Sequence, residues 1–160
     1  MSTPFKYEMV YDAPIEAVAA MLSDPAFREE VCRAQRATSH DVTIDGDTTA
    51  KRVRIEMVQP TDKVPAFAAK IVGAHTEIHQ VEDWSSPVAG DVSVTIPGKP
   101  GHMVGTAVLV ERDGKTVETV EMDIKVKLPV VGGKIEGVLA KVLGSALKAE
   151  AQVGRDYLSR

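Results

Sequence analysis

Hydrophobic and polar positions follow two periods along this chain, and the switch between them marks out the elements. Phe5, Tyr7, Met9 and Tyr11 share one face against Lys6 and Glu8, which predicts a half-buried strand over Phe5–Tyr11. Asp12 then stands at an N-cap position, and Pro14 at an early helical position where its missing N–H costs nothing. Ile15, Val18, Ala19 and Leu22 follow at helical spacing, Ser23-Asp24-Pro25 restarts the chain, and Ala26–Ala34 reads as a second short helix. Six strands come next: Ser39–Ile44, Thr48–Gln59, Gly73–Trp84, Gly90–Ile96, His102–Arg112 and Lys115–Leu128. Asp45-Gly46-Asp47, Gly98-Lys99-Pro100-Gly101 and Asp113-Gly114 separate three of these pairs as turns. Within Asp62–Val72, Pro65 is placed to start a short helix through Phe67 and Ile71.

The last segment carries the strongest pattern. From Lys134 to Leu158 there is no proline, and Ile135, Leu139, Val142, Leu143, Leu147 and Tyr157 fall on one broad half of a helical wheel. Such a helix is roughly 38 Å long at 1.5 Å per residue. Lys134, Lys141, Lys148 and Arg155 recur on the other half, as a solvated face.

The order of one strand, two short helices, six strands and one long amphipathic helix resembles the helix-grip fold of the START and birch-pollen-allergen superfamily (SRPBCC). The resemblance covers essentially the whole chain. Its local carriers are YDAPIEAVAAMLSDPAF and the closing KLPVVGGKIEGVLAKVLGSALKAEAQVGRDYL, the latter similar to an actinobacterial branch of unknown function. It implies an α+β fold, β-α-α-β6-α, in which a curved seven-stranded antiparallel sheet wraps a long C-terminal helix and leaves a cavity between them. It also implies an entrance near Phe67 and Gly132-Gly133. Function transfers poorly, because that superfamily mixes lipid carriers, cyclases, hydrolases and chaperone activators.

Composition narrows the choice. The chain has 160 residues, 19 basic against 23 acidic, for a formal charge of −4, which opposes a non-specific nucleic-acid binder. One domain over 1–160 is expected at this length. The lone Cys32 excludes an internal disulfide and a cysteine zinc site, and its place on a short amphipathic helix reads as packed. No apolar run reaches the ~20 residues of a membrane span, and MSTPFKYEMVYD lacks signal-peptide features, so the expected location is cytoplasmic. Oligomeric state is left open.

Strand alternation assigns faces. Val53, Ile55 and Met57 oppose Arg52, Arg54 and Glu56; Val120, Met122, Ile124 and Val126 oppose Glu121, Asp123 and Lys125. His75, Glu77 and His79 suit a metal chemically, but positions i and i+4 of a strand lie ~13 Å apart. Ile78 and Trp84 belong to the opposite, inward face, so no metal site is expected. The same alternation turns Gln80 and Glu82 inward, where a ligand group, a water or a wet strand end must satisfy them. Glu136 and Glu150 fall within the apolar arc of the last helix. Glu136 has the helix dipole; Glu150 is expected to pair with an Arg or Lys of the opening helices. Gly137 and Gly144 are expected to permit close packing.

No phosphate loop, nucleophile elbow or HExxH motif is present, so no catalytic residue and no cofactor is assigned. The leading expectation is a binding or carrier protein for a small apolar, lipid-like or polycyclic ligand. Its cavity is bounded by Ile55, Met57, Ile78, Met122, Ile124, Leu139 and Val142, with Gln80 and Glu82 at the polar end and Trp84 facing in. The alternatives are a cyclase/aromatase-type enzyme, which an inward carboxylate of shifted pKa beside the pocket would favour, and a chaperone-associated interaction module.

Overall fold

A computed structural model describes residues 2–160. Its elements are β1 (Thr3–Tyr11), α1 (Ile15–Leu22), α2 (Pro25–Ala34), β2 (Ser39–Gly46), β3 (Lys51–Pro60), α3 (Ala66–Val72), β4 (His75–Ser86), β5 (Ala89–Thr95), β6 (Gly101–Arg112), β7 (Lys115–Val126) and α4 (Gly132–Leu158). The strands form one antiparallel sheet in the order β1-β7-β6-β5-β4-β3-β2. From β2 to β7 each strand pairs with the next in sequence, through short turns except between β3 and β4, where the connection carries α3. β1 closes the far edge against β7, and α1 and α2 carry the chain back across to β2. This is the expected helix-grip arrangement, with α4 lying against β1 and β7 and the core between helix and sheet.

Faces follow the predicted alternation. Along β3, Lys51, Val53, Ile55 and Met57 are buried while Arg52, Arg54 and Glu56 are exposed. Burial of these apolar side chains, at about 25 cal/mol per Å², is the main force holding helix to sheet.

Several local expectations are corrected. β3 begins at Lys51 rather than Thr48, because the Asp47 carboxylate accepts from Thr49 N (2.9 Å) and Thr49 Oγ1 (2.5 Å) and holds the preceding residues in a loop. Asp12 does not cap α1: the N-cap is Pro14, without a side-chain hydrogen bond. Asp24 does cap α2, accepting from Ala26 N at 2.9 Å. α4 starts two residues early because Gly132 packs on the end of β7, where a Cβ would lie 2.6 Å from the Val126 carbonyl oxygen. Glu136 is held by direct contacts rather than by the dipole alone, accepting from Val126 N (2.9 Å) and Thr3 Oγ1 (2.7 Å).

The helix glycines also depart from expectation. A Cβ at Gly137 would meet nothing within 4 Å, and one at Gly144 only Phe5 at 3.8 Å, so neither serves close packing. The close approach is at Gly154, where a Cβ would fall 2.6 Å from the Tyr11 ring. Before α4, Val130 is fully exposed and adopts φ 69°, a left-handed conformation costly for a β-branched residue. Among the described residues, no helix is long and apolar enough to cross a membrane.

Candidate functional site

Between the concave sheet face and α4 lies a cavity of about 160 Å³. Its α4 wall runs from Ile135 to Glu150, about 22 Å of helix at 1.5 Å per residue. Opposite stand Val92, Val94, Met103, Val120 and Met122 from β5, β6 and β7, and one side is closed by Ala68, Ile71 and Val72 of α3 with Val64 of the loop before it. The walls are predominantly aliphatic, and no aromatic side chain lines them among the described residues.

Seven of the eleven residues expected at the site line this cavity: Met57, Ile78, Gln80, Glu82, Met122, Leu139 and Val142. Ile55, Trp84 and Ile124 do not. They face inward as predicted, but each is packed in the solid part of the core, at most 4% exposed. Alternation fixes which face a residue occupies; it does not say whether another side chain or open space stands above it. Phe67 is corrected too. Its ring lies under the Lys134 ammonium, 4.6 Å from Nζ to centroid, and so joins α3 to the start of α4 instead of lining the cavity. Of the Gly132-Gly133 pair, Gly132 packs tightly on β7 while a Cβ at Gly133 would meet nothing within 4 Å, and neither glycine lines the cavity.

One end of the cavity holds a buried cluster of charge drawn from five elements. Arg28 of α2, Lys51 of β3, Glu82 of β4, Glu118 of β7 and Glu150 of α4 are each at most 7% exposed. The sheet register brings the strand members together: Lys51 pairs with Trp84, Val53 with Glu82, and Glu118 sits between Met9 and Leu109. The Arg28 guanidinium grips Glu82 bidentately, both N–H···O distances being 2.9 Å, while its Nε donates to the Leu22 carbonyl at 3.0 Å. Glu82 also accepts from Trp84 Nε1 (2.8 Å) and Gln80 Nε2 (2.6 Å). Burial pushes the Glu82 pKa up, but the Arg28 charge and these donors outweigh it and hold the carboxyl below its usual range. The partners of Gln80 and Glu82 are thus protein groups, not a frayed wet end.

Glu118 and Glu150 have no such support. Glu118 Oε1 is buried without a hydrogen-bond partner, and burial, with Glu150 and Glu82 nearby, drives its pKa well up. Burial likewise raises Glu150 to about 7, against the opposing charge of Arg28. The expectation that Glu150 pairs with an opening-helix cation is corrected. Arg28 comes from the expected element, but its bidentate face is committed to Glu82, and Glu150 forms no ion pair among the described residues. Lys51 Nζ also lacks a hydrogen-bond partner and rests 4.7 Å over the Trp84 ring, which itself packs close on Gly90. Burial, then the Arg28 charge, lowers the Lys51 pKa.

Arg28, Lys51 and Glu118 are the residues that sequence reasoning missed, though the signal was there. Glu118 shares the parity of Val120 and Met122, Lys51 that of Val53 and Ile55, and Arg28 adjoins the Phe27–Val31 face of α2. His75, Glu77 and His79 lie on the outer face as expected, with His79 Nε2 2.6 Å from Glu77 Oε2. Cys32 is buried and its thiol is pushed up to about 11 by that burial, so it is a packed side chain rather than a nucleophile.

Residues 6–158 match a family described as "Protein of unknown function (DUF2505)", and the chain belongs to that family. An uncharacterized protein of Mycobacterium tuberculosis is 25% identical over 124 residues, 71% of this chain and 71% of its own. Among solved structures, TTHA0849 from Thermus thermophilus superposes with a TM-score of 0.67 at 16% identity, over 98% of this chain and 97% of the other. Norcoclaurine synthase from Thalictrum flavum gives 0.64 at 14% identity, over 100% and 88%. At such identities these likenesses establish the fold alone.

Proposed function

We propose that this member of the DUF2505 family, as one domain of the SRPBCC type, binds or carries a small apolar ligand between its sheet and α4. The observation that carries the reading is the aliphatic cavity ending on buried carboxyls. A packed interior holds few voids larger than a water, and a cavity of about 150 Å³ lined by aliphatic groups suffices to bind benzene. At about 160 Å³ the space takes a ring or a short alkyl chain as it stands. With no aromatic wall to stack on, an aliphatic or alicyclic guest fits better than a planar polycycle.

The test is thermal melting with linear alcohols of increasing length, beside a Met122→Trp variant. At an alcohol concentration of about 100 Kd, mass action adds roughly 2.7 kcal/mol, hence a rise of about 5–10 °C. Met122→Trp fills the cavity, abolishes that rise and melts close to wild type. No rise in the wild type, with a variant overpacked by about 1–3 kcal/mol, means the core is solid and the reading fails.

A second reading rests on Glu118 and Glu150, carboxyls of raised pKa on the cavity wall, which suit general acid–base chemistry of the cyclase/aromatase type. Norcoclaurine synthase, similar in fold, is by its name an enzyme. A Glu150→Gln variant that binds a reactive ligand unchanged but no longer converts it would favour this reading over a carrier.

A further inference from the structure

We propose that the polar end of the cavity is a cation-binding subsite, and that the ligand carries a single basic nitrogen, bound as its ammonium by Glu118 and Glu150. This rests on the reading of the cavity as an apolar ligand site and adds the chemistry of the ligand's other end.

Three observations carry it. Glu82, Glu118 and Glu150 all line the cavity, whereas Arg28 and Lys51 do not, and no Lys, Arg or His is among its described lining residues. The cluster is also one positive charge short. Three carboxyls face two cations; Arg28 is spent on Glu82, and Lys51 on the Trp84 ring. Finally, Glu118 Oε1 is a buried oxygen with no partner, on a side chain 3% exposed that lines the cavity. A buried carboxylate left without a counter-charge is strongly disfavoured, so the molecule alone holds a proton on this pair. An entering ammonium replaces that proton: one carboxyl ionises, its proton leaves to solvent, and the N–H groups donate to the freed oxygens.

The surroundings do not supply the missing charge. Tyr11 of β1 hydrogen-bonds to Met9 Sδ at 3.6 Å, and burial raises its pKa far beyond neutrality. Cys32 of α2 stays a thiol, and Arg155, which acts on Tyr11 from α4, is exposed. Glu118 and Glu150 are therefore the groups left to exchange a proton for a ligand cation.

The experiment is isothermal titration of the full chain with octan-1-amine, octan-1-ol and octanoate at pH 7, in phosphate and in HEPES, whose ionisation enthalpies differ. The amine is expected to bind about tenfold or more tighter than the alcohol, with octanoate weakest. The buffer dependence should show about one proton released per amine bound and none per alcohol. Glu118→Gln should remove the amine's advantage and leave alcohol binding intact. If the alcohol binds as tightly as the amine, or octanoate binds best, or no proton is released, the cation subsite is wrong while the apolar cavity stands. If none of the three binds saturably, the cavity reading itself fails and takes this one with it.

Discussion

Removing the Arg28 side chain should be among the most damaging single changes available to this fold. Arg28→Ala deletes both 2.9 Å hydrogen bonds to Glu82 and the Nε bond to Leu22, and leaves a 5%-exposed carboxylate with only Trp84 Nε1 and Gln80 Nε2 as donors. It also removes the cation that opposes the raised pKa values of Glu118 and Glu150. Breaking a buried ion pair from one side costs about 3–5 kcal/mol. A domain of this size has roughly 5–15 kcal/mol in total, and melts about 2–4 °C lower per kcal/mol lost. The expected shift is therefore roughly 6–20 °C downward. Trp84 is the only tryptophan in the chain and bonds to the same carboxylate, so its fluorescence during urea unfolding reports on the cluster, with far-UV circular dichroism as the global measure. Adding Glu82→Gln in the Arg28→Ala background should restore at least about 1 kcal/mol, since the stranded charge is gone. A loss below about 1 kcal/mol, the range of exposed pairs, would refute the reasoning. So would a double variant whose loss is the sum of the two single losses.

Two further outcomes follow from the site and the loop beside it. Because the folded pKa values of Glu118 and Glu150 lie above the unfolded value, their stabilising contribution is complete below about pH 4.5 and is lost as pH rises through about 7 for Glu150. Urea unfolding should thus show stability falling between pH 5 and 8, opposite in sign to the contribution of Glu82, and Glu150→Gln should flatten the slope; a slope unchanged in that variant assigns the titration elsewhere. Val130→Gly relieves a left-handed valine that touches little, and should raise stability by about 1 kcal/mol; a loss of that size would mean the valine makes contacts that outweigh its backbone strain.

The fold was legible because its periods are clean and its elements occur in a distinctive order. Every predicted strand and helix is present, with ends displaced where a local contact intervenes, as at Asp47 before β3 and Gly132 before α4. The cavity was legible by face but not by depth. Ile55 and Ile124 alternate as regularly as Met57 and Met122, yet they are covered by other side chains, which is a property of packing and not of period. The charge cluster was only half visible. Glu82 and Glu150 stood out as polar residues on apolar faces, whereas Glu118 lay beyond the apolar part of its strand. That Arg28 would choose Glu82 over Glu150 depends on how α2 crosses the sheet, and no local pattern encodes that crossing.

The central claim, that the space between sheet and α4 receives an apolar guest, has a direct test in the methionine methyl groups. The chain contains six methionines. Met57, Met103 and Met122 line the cavity, while Met9 and Met21 are fully buried in the core away from it. Protein labelled with 13C at the methionine methyls, titrated with octan-1-ol and followed by NMR, should show saturable one-site shifts at Met57, Met103 and Met122, with Met9 and Met21 nearly still. No saturable shift at the three cavity methyls, or equal shifts at all five, would contradict it.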